Sequence, residues 1–380
     1  MKTGMNDLTG LIPILYAALQ VISRELVGII PAAGRDFRAD GVATGQVLRI
    51  PVTPVSENQD IIPGTPPVNG GDDLTYTDLT ITKNRMSRPI VWNGDEEISV
   101  GNQLNGILVN QYTQAMRSIV NEVETDICAE AVQAALEQGN YYGTPGVTPF
   151  AANIRDFAQV IKIMDDIGAP VMQRQAVINT AAAANLRELD KLTSVAHSGT
   201  ADLLRQGVIG EIMGFNIRQS AGLQLKTAGT AVNLTLDAAA NPGDTILSVN
   251  ALTGALNKGA LITLNGERYV VKNNYAAGAT QIAVGPAVIA GAATGATATV
   301  TSSYLPNVMF TPDFILAAIR APAMPGAGDE AKDVIVITDP VSNLSFQVAL
   351  YGSYRQTRVE IGLAWGQKAV NPRHGVVLLG

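Results

Sequence analysis

The chain has 380 residues, 47% hydrophobic, 16% charged and 5% aromatic, with 37 Gly and 19 Pro. It is too apolar for general disorder and long enough for two or three cores, and its many turn formers fit a β-rich protein. A formal net charge of −7, with Lys and Arg scattered along the chain, argues against tight nucleic-acid binding, which depends on neutralising phosphates.

Within residues 1–33, Leu11, Leu15, Leu19, Ile22, Leu26 and Ile29 recur at three- and four-residue steps and predict an amphipathic helix. Its apolar run is too short to span a bilayer, and Arg24 and Glu25 stand where an export signal would place small residues. Residues 34–92 change character. GQVLRIPVTP and LTYTDLTITKNRMSRPIVW are rich in β-branched side chains and flank the turn-rich SENQDIIPGTPPVNGGDD, which predicts an extended hairpin arm. Pro51, Pro54 and Pro89 each remove a backbone donor, which suits edge strands. A two-stranded arm is marginal alone and needs a neighbour to lie on.

Over residues 93–149 the dominant signal is helical. Leu104, Leu108, Tyr112, Ala115, Ile119, Val123, Ile127, Ala131 and Ala134 form one stripe, and Gly139 supplies a stop. Such a helix would be about 50 Å long. Its other face, with Asn110, Gln114, Arg117, Glu122 and Glu124, reads as solvated.

From 150 to 222 the pattern is α/β. NIRDFAQVIKIMDDIG predicts a helix ended at Gly168, QAVINT a strand, AAAANLRELDKL and TADLLRQG helices, and GFNIRQSAGLQ a strand. The same character resumes over 304–380. There Thr311 is placed to cap a helix with Pro312 at its first position. DVIVITD, LSFQVALY, RVEIGLAW and HGVVLLG then follow as strands. Between these halves, residues 229–303 contain no Phe, Trp, Met, His or Cys, and short β-type runs alternate with Gly turns. GDTILSVN and GATQIAVG look alike at a spacing of roughly 35 residues, as a weak repeat or as two similar hairpins. The segment 223–303 is predicted to be a small all-β barrel or sandwich inserted into one discontinuous α/β domain.

No constellation predicts chemistry. His197 and His374 stand far apart, and with the single Cys128 they give no zinc spacing and no disulfide. Ser194 and His197 lack a nucleophile elbow, PGAGDEA lies in a Pro-flanked loop, and NGGDD lacks the spacing of a calcium loop. The expectation is a chain that is not an enzyme, with no catalytic, metal or cofactor site.

The order of parts resembles the HK97-type major capsid protein of tailed bacteriophages, and within it the P22-like coat proteins. The residues that carry the likeness are VINTAAAANLRELD (177–190), GFNIRQSAGLQ (214–224), NVMFTPDFILAAIRAP (307–322) and LSFQVALYGSYRQTRVEIGLAWGQKAVNPRHGVVLLG (344–380). The resemblance implies an α+β HK97-like capsid fold. Its parts are an N-terminal arm (1–33), a β-hairpin E-loop (34–92), a peripheral domain with a spine helix (93–149), an apical domain (150–222 and 304–380) and the inserted β domain (223–303).

It further implies a coat protein whose copies form hexamers and pentamers of an icosahedral shell, enclosing double-stranded DNA without reading its sequence. Implied partners are other copies of itself, a separate scaffolding protein that directs a procapsid, and a portal. No cofactor and no membrane are expected, and the location is the virion capsid, assembled in the bacterial host cytoplasm. The assembly contacts expected are Leu11, Leu15, Leu19, Ile22, Leu26, Ile50, Val52, Ile61, Ile62, Lys83 and Arg88. Lys83 is the single arm lysine, which favours non-covalent maturation over Lys–Asn cross-linking. The insertion is expected to steady the subunit and touch neighbours across two-fold axes, rather than bind host glycans. The rival readings are an encapsulin-type bacterial compartment and an exported surface-layer or adhesin protein.

Overall fold

The apolar stripe does form one helix. In the computed structural model it runs from Leu104 to Glu137, with Leu108, Tyr112, Ile119, Val123, Ile127 and Ala131 buried. Gly139 follows at φ +79°, a conformation open to glycine without steric cost. The structure describes residues 14–15, 28–36, 41–53, 58, 60–64, 74–100, 104–189, 192, 210–325, 329–338 and 344–380. The predicted helix over 200–207 lies outside them.

A six-stranded mixed sheet packs on this helix. Its order is Tyr141–Gly143, Gly375–Leu379, Pro306–Phe310, Gln175–Ile178, Phe215–Gln219, Glu211–Ile212. Strand side chains alternate between faces, and the burial follows that period. Val177, Val308, Phe310, Val377 and Leu379 join the core of the long helix. Ala176, Ile178, Met309, Val376 and Leu378 join a second core with Phe157, Val160 and Met164 of helix Arg155–Asp166 and Ala182, Ala183 and Leu186 of helix Thr180–Glu188. Asn179 caps the latter helix, its side chain accepting from the Ala182 N–H at 2.8 Å. The strand Gly375–Leu379 is wholly buried because it is paired on both sides, antiparallel to Pro306–Phe310 and parallel to Tyr141–Gly143.

A seven-stranded sheet lies beside it. Its backbone path is Gly34–Asp36, Ile315–Arg320, Gln356–Ala369, Ser345–Ser353, Ala331–Thr338. The 14-residue strand Gln356–Ala369 also pairs with Lys83–Met86 and Ile90–Asn93.

One sequence expectation fails. Thr311 and Pro312 do not open a helix: the chain turns and continues as the strand Ile315–Arg320. Pairing with Gly34–Asp36 and with Gln356–Ala369 satisfies that strand's backbone and outweighs the local capping signal. The strands of 304–380 are shared between the two sheets, with Pro306–Phe310 and Gly375–Leu379 joining Gln175–Ile178 and Phe215–Gln219 in the first.

Residues 226–304 carry a separate six-stranded sheet in the order Asn233–Thr235, Thr297–Val300, Leu261–Leu264, Glu267–Val271, Gln281–Gly285, Ile246–Ser248. It encloses its own core, including Leu234, Leu247, Ile262, Tyr269, Val271, Ile282 and Ala298. The two look-alike runs pair antiparallel with each other, Leu247 opposite Ile282. Asn265 and Gly266, at φ +51° and +85°, make the tight turn of the central hairpin. Lys226–Thr227 pairs with Ser303–Tyr304, so entry and exit of this segment lie side by side. Gln133 Nε2 of the long helix donates to the Val271 carbonyl at 3.3 Å, and Arg268 donates to the Gly143 carbonyl at 3.0 Å.

Candidate assembly surfaces

The arm forms as its β-branched pattern predicts. Val47–Val52 pairs antiparallel with Thr75–Thr80, Ile50 opposite Thr77 and Pro51 opposite Tyr76. Leu48, Ile50 and Val52 share a half-buried face, while Val47, Arg49 and Pro51 point to solvent. Leu48 and Ile50 pack on a small core of Val42, Leu79, Ile81, Ala318 and Ala364 at the arm's root. The root is close enough to require Gly366, where a Cβ would stand 2.2 Å from the Thr80 carbonyl oxygen. Towards the tip the arm leaves apolar side chains uncovered: Ile61 is 98% exposed, and Ile62, Leu74 and Tyr76 are exposed as well. Isolated exposed apolar residues are ordinary, but these four share one two-stranded arm. The Arg49–Asp78 pair, 3.6 Å apart and exposed, adds little.

Lys83, expected at a contact with another copy, is engaged within its own chain. Its ammonium lies 2.8 Å from Glu122 Oε1 and 2.8 Å from Asp126 Oδ2, both on the long helix. Trp365 Nε1 donates to the same Asp126 carboxylate at 2.9 Å. Burial pulls the Lys83 ammonium down, but the hydrogen bonds to Asp126 and Glu122 outweigh it, so its pKa is raised. The residue pins the arm's root to its own chain. Arg88 lines an open groove of about 840 Å³ between residues 87–91 and Ile107, Asn110, Gln111 and Gln114 of the helix. Of the expected N-terminal contacts, Leu15 is fully buried in the chain's own main core. Leu11, Leu19, Ile22 and Leu26 lie outside the described residues.

Glu124 also departs from expectation. Read as part of a solvated face, it is 3% exposed. The sequence did hold a signal: Val120 and Cys128, four residues either side, are both buried and share its face. Burial pushes the Cys128 thiol well up, which leaves it unreactive.

Over residues 306–379 the chain passes between the two sheets twice, once between Phe310 and Ile315 and once between Ala369 and Gly375. The crossings touch. Val370 N–H donates to the Phe314 carbonyl at 2.9 Å, and a Cβ on Gly375 would meet the Phe314 ring at 2.5 Å. Asp313 accepts from the Thr311 hydroxyl and from Asn371 Nδ2 at 3.1 Å, and its Oδ2 lies 2.6 Å from His374 Nδ1. Burial pushes the Asp313 carboxyl up, but the bonds from Thr311, His374 and Asn371 outweigh it and hold its pKa below the ordinary value. The Thr311 hydroxyl donates to the carboxylate, so Thr311, Asp313, Asn371 and His374 tie two turns together.

Among the described residues no group of His, Cys, Asp and Glu could hold a metal ion, and no helix is long and apolar enough to cross a membrane. Ser194, His197 and the NGGDD run lie outside the described residues.

No protein-family model matches the chain, and no curated protein does. Solved structures do. A capsid structure of the cyanophage P-SCSP1u superposes with a TM-score of 0.54 at 12% identity, covering 93% of this chain and 88% of that one. The mature capsid of bacteriophage PhiM1 matches with a TM-score of 0.49 at 12% identity, over 92% of this chain and 85% of that one. A chain from Mycobacterium phage Che8 matches with a TM-score of 0.48 at 15% identity, over 88% and 85%. The fold comparison rests on the cyanophage capsid.

Proposed function

We propose that this chain, which has the α+β HK97-like capsid fold, is the repeated subunit of an icosahedral phage shell. The observation that carries the reading is the extent of the likeness: a phage capsid structure superposes over 93% of the chain. The arm supports it physically. Its exposed apolar tip is a surface that a second copy would cover, and many modest contacts of this kind add up around a closed shell. In this reading the division is an N-terminal arm (1–33), E-loop (34–92), peripheral domain (93–149), apical domain (150–222 with 304–380) and P22-like insertion (223–303).

The finer parts of the proposal are a separate scaffolding protein, a portal, enclosed double-stranded DNA, non-covalent maturation, and assembly in the host cytoplasm. The absence of an extended basic run along this acidic chain supports an inner wall that does not trap DNA. Expression of the chain with and without its neighbouring gene products, read by negative-stain microscopy, tests the function. Closed shells of uniform size, appearing with a scaffold and not without one, are expected. A chain that stays monomeric under both conditions overturns it, and uniform shells from the chain alone overturn the scaffold.

A further inference from the structure

We infer that Glu124 is a positioning residue: its buried carboxylate latches the segment at residues 28–30 onto the long helix and so fixes where the N-terminal part of the chain joins the body. Three successive backbone N–H groups converge on it, from Gly28 at 2.7 Å, Ile29 at 2.8 Å and Ile30 at 3.1 Å. The Ser220 hydroxyl donates to the same carboxylate at 2.6 Å. Consecutive amides aimed at one anion form a backbone nest, and here the anion belongs to the protein itself. Both carboxylate oxygens are engaged, Oε1 by Gly28, Ile29 and Ser220 and Oε2 by Ile30.

The surroundings are built for this contact. A Cβ on Gly222 would stand 2.8 Å from Glu124 Cγ, and one on Gly28 would stand 2.7 Å from the Gln219 carbonyl oxygen. Glycine at both places lets three chain segments close on one carboxylate. Ser220 is itself fixed, its N–H donating to the Ile178 carbonyl at 3.0 Å. On the other side, Ile29 and Ile30 are fully buried, and the Ala32 and Ala33 N–H groups return to the Ile29 carbonyl at 3.0 and 2.9 Å. The strand Gly34–Asp36 begins immediately afterwards. The helix does not need a carboxylate at this position for its own packing, since its neighbours on that face, Val120 and Cys128, are buried without one. Burying a charge is costly unless its hydrogen bonds are made, and what these bonds secure is the segment at 28–30.

The latch is a property of the single chain and does not depend on shell formation. Hydrogen exchange read by mass spectrometry on the purified, unassembled full chain tests it, using Glu124→Leu, Glu124→Gln and Ser220→Ala. Glu124→Leu leaves three amides without an acceptor, and Glu124→Gln sets an amide donor among donors. Both should speed exchange over residues 28–33 by at least about tenfold while the helix over 108–136 keeps its protection. Ser220→Ala should give a smaller rise in the same place, because the three amide bonds remain. Unchanged exchange over 28–33 in a folded Glu124→Leu chain overturns the inference, as does equal loss of protection in helix and segment. If the Glu124 variants do not fold, Ser220→Ala decides: a local rise sustains the latch, and none overturns it.

Discussion

His374 Nδ1 lies 2.6 Å from Asp313 Oδ2, and the two residues stand on two separate turns by which the chain passes from one sheet to the other. The pair ties the sheets at a point where only turns connect them. Asp313→Asn should lower stability by about 1 kcal/mol, and a double-mutant cycle with His374→Ala should return most of that as coupling. The loss is small because the Asp313 side chain is 42% exposed and solvent screens the pair. Calorimetric unfolding of the four proteins measures it; additive losses would mean the pair is not coupled.

The same carboxylate gives a pH dependence. Its folded-state pKa is depressed, so the stability it contributes is present above its ordinary value of 3.8 and is lost as pH falls through the lower folded value. The wild-type unfolding temperature should therefore fall more steeply below about pH 4 than that of Asp313→Asn. Parallel curves would remove Asp313 as the source.

At the arm's root, Gly366→Ala places a methyl 2.2 Å from the Thr80 carbonyl oxygen. Backbone cannot yield as a side-chain tip can, so a cost of about 2–3 kcal/mol is expected, with exchange over residues 74–81 rising first. Full protection of that strand would show that the crossing has slack.

Lys83 makes the opposite kind of prediction. Its pKa is raised, so its contribution is fully present below its ordinary value of 10.5 and is lost only as pH rises through the folded value. Lys83→Met should weaken the root by about 1 kcal/mol with no added pH dependence between about pH 6 and 9. Because its ammonium is held by Glu122 and Asp126, particles should run as a single band on denaturing gels. A ladder of covalent oligomers that vanishes in Lys83→Met would refute this.

Ile61→Ser with Ile62→Ser should leave subunit unfolding within about 0.5 kcal/mol of wild type, since both side chains are exposed. Shell yield should fall sharply in the same variant. Normal shells would mean that the arm tip is not an interface.

Much of this fold was legible because its signals are periodic and local. The stripe from Leu108 to Ala131 needs only helix geometry, and Gly139 ends it for a stereochemical reason. The strands over 331–379 announce themselves by β-branched runs. What stayed hidden depends on distant partners. Nothing near Thr311 and Pro312 shows that Gly34–Asp36 and Gln356–Ala369 will pair with Ile315–Arg320 and draw it into a sheet. The intrachain partners of Lys83, Glu122 and Asp126, lie 39 and 43 positions away, beyond the reach of any local pattern. Glu124 was mistaken for the same reason, although its spacing from Val120 and Cys128 pointed inward.

The pairing of Gly34–Asp36 with Ile315–Arg320, braced by the ion pair of Asp36 with Arg320, joins positions 284 apart in sequence. A contact that distant cannot reward the chain until the intervening loop is already closed, so it belongs to a late stage of folding. Until then the flank of Ile315–Arg320 that Gly34–Asp36 will cover is an open strand edge, the kind of surface on which newly made chains associate wrongly. Rapid overproduction should therefore favour aggregates, and slower synthesis or a chaperone that shields the edge should raise the yield of native subunit.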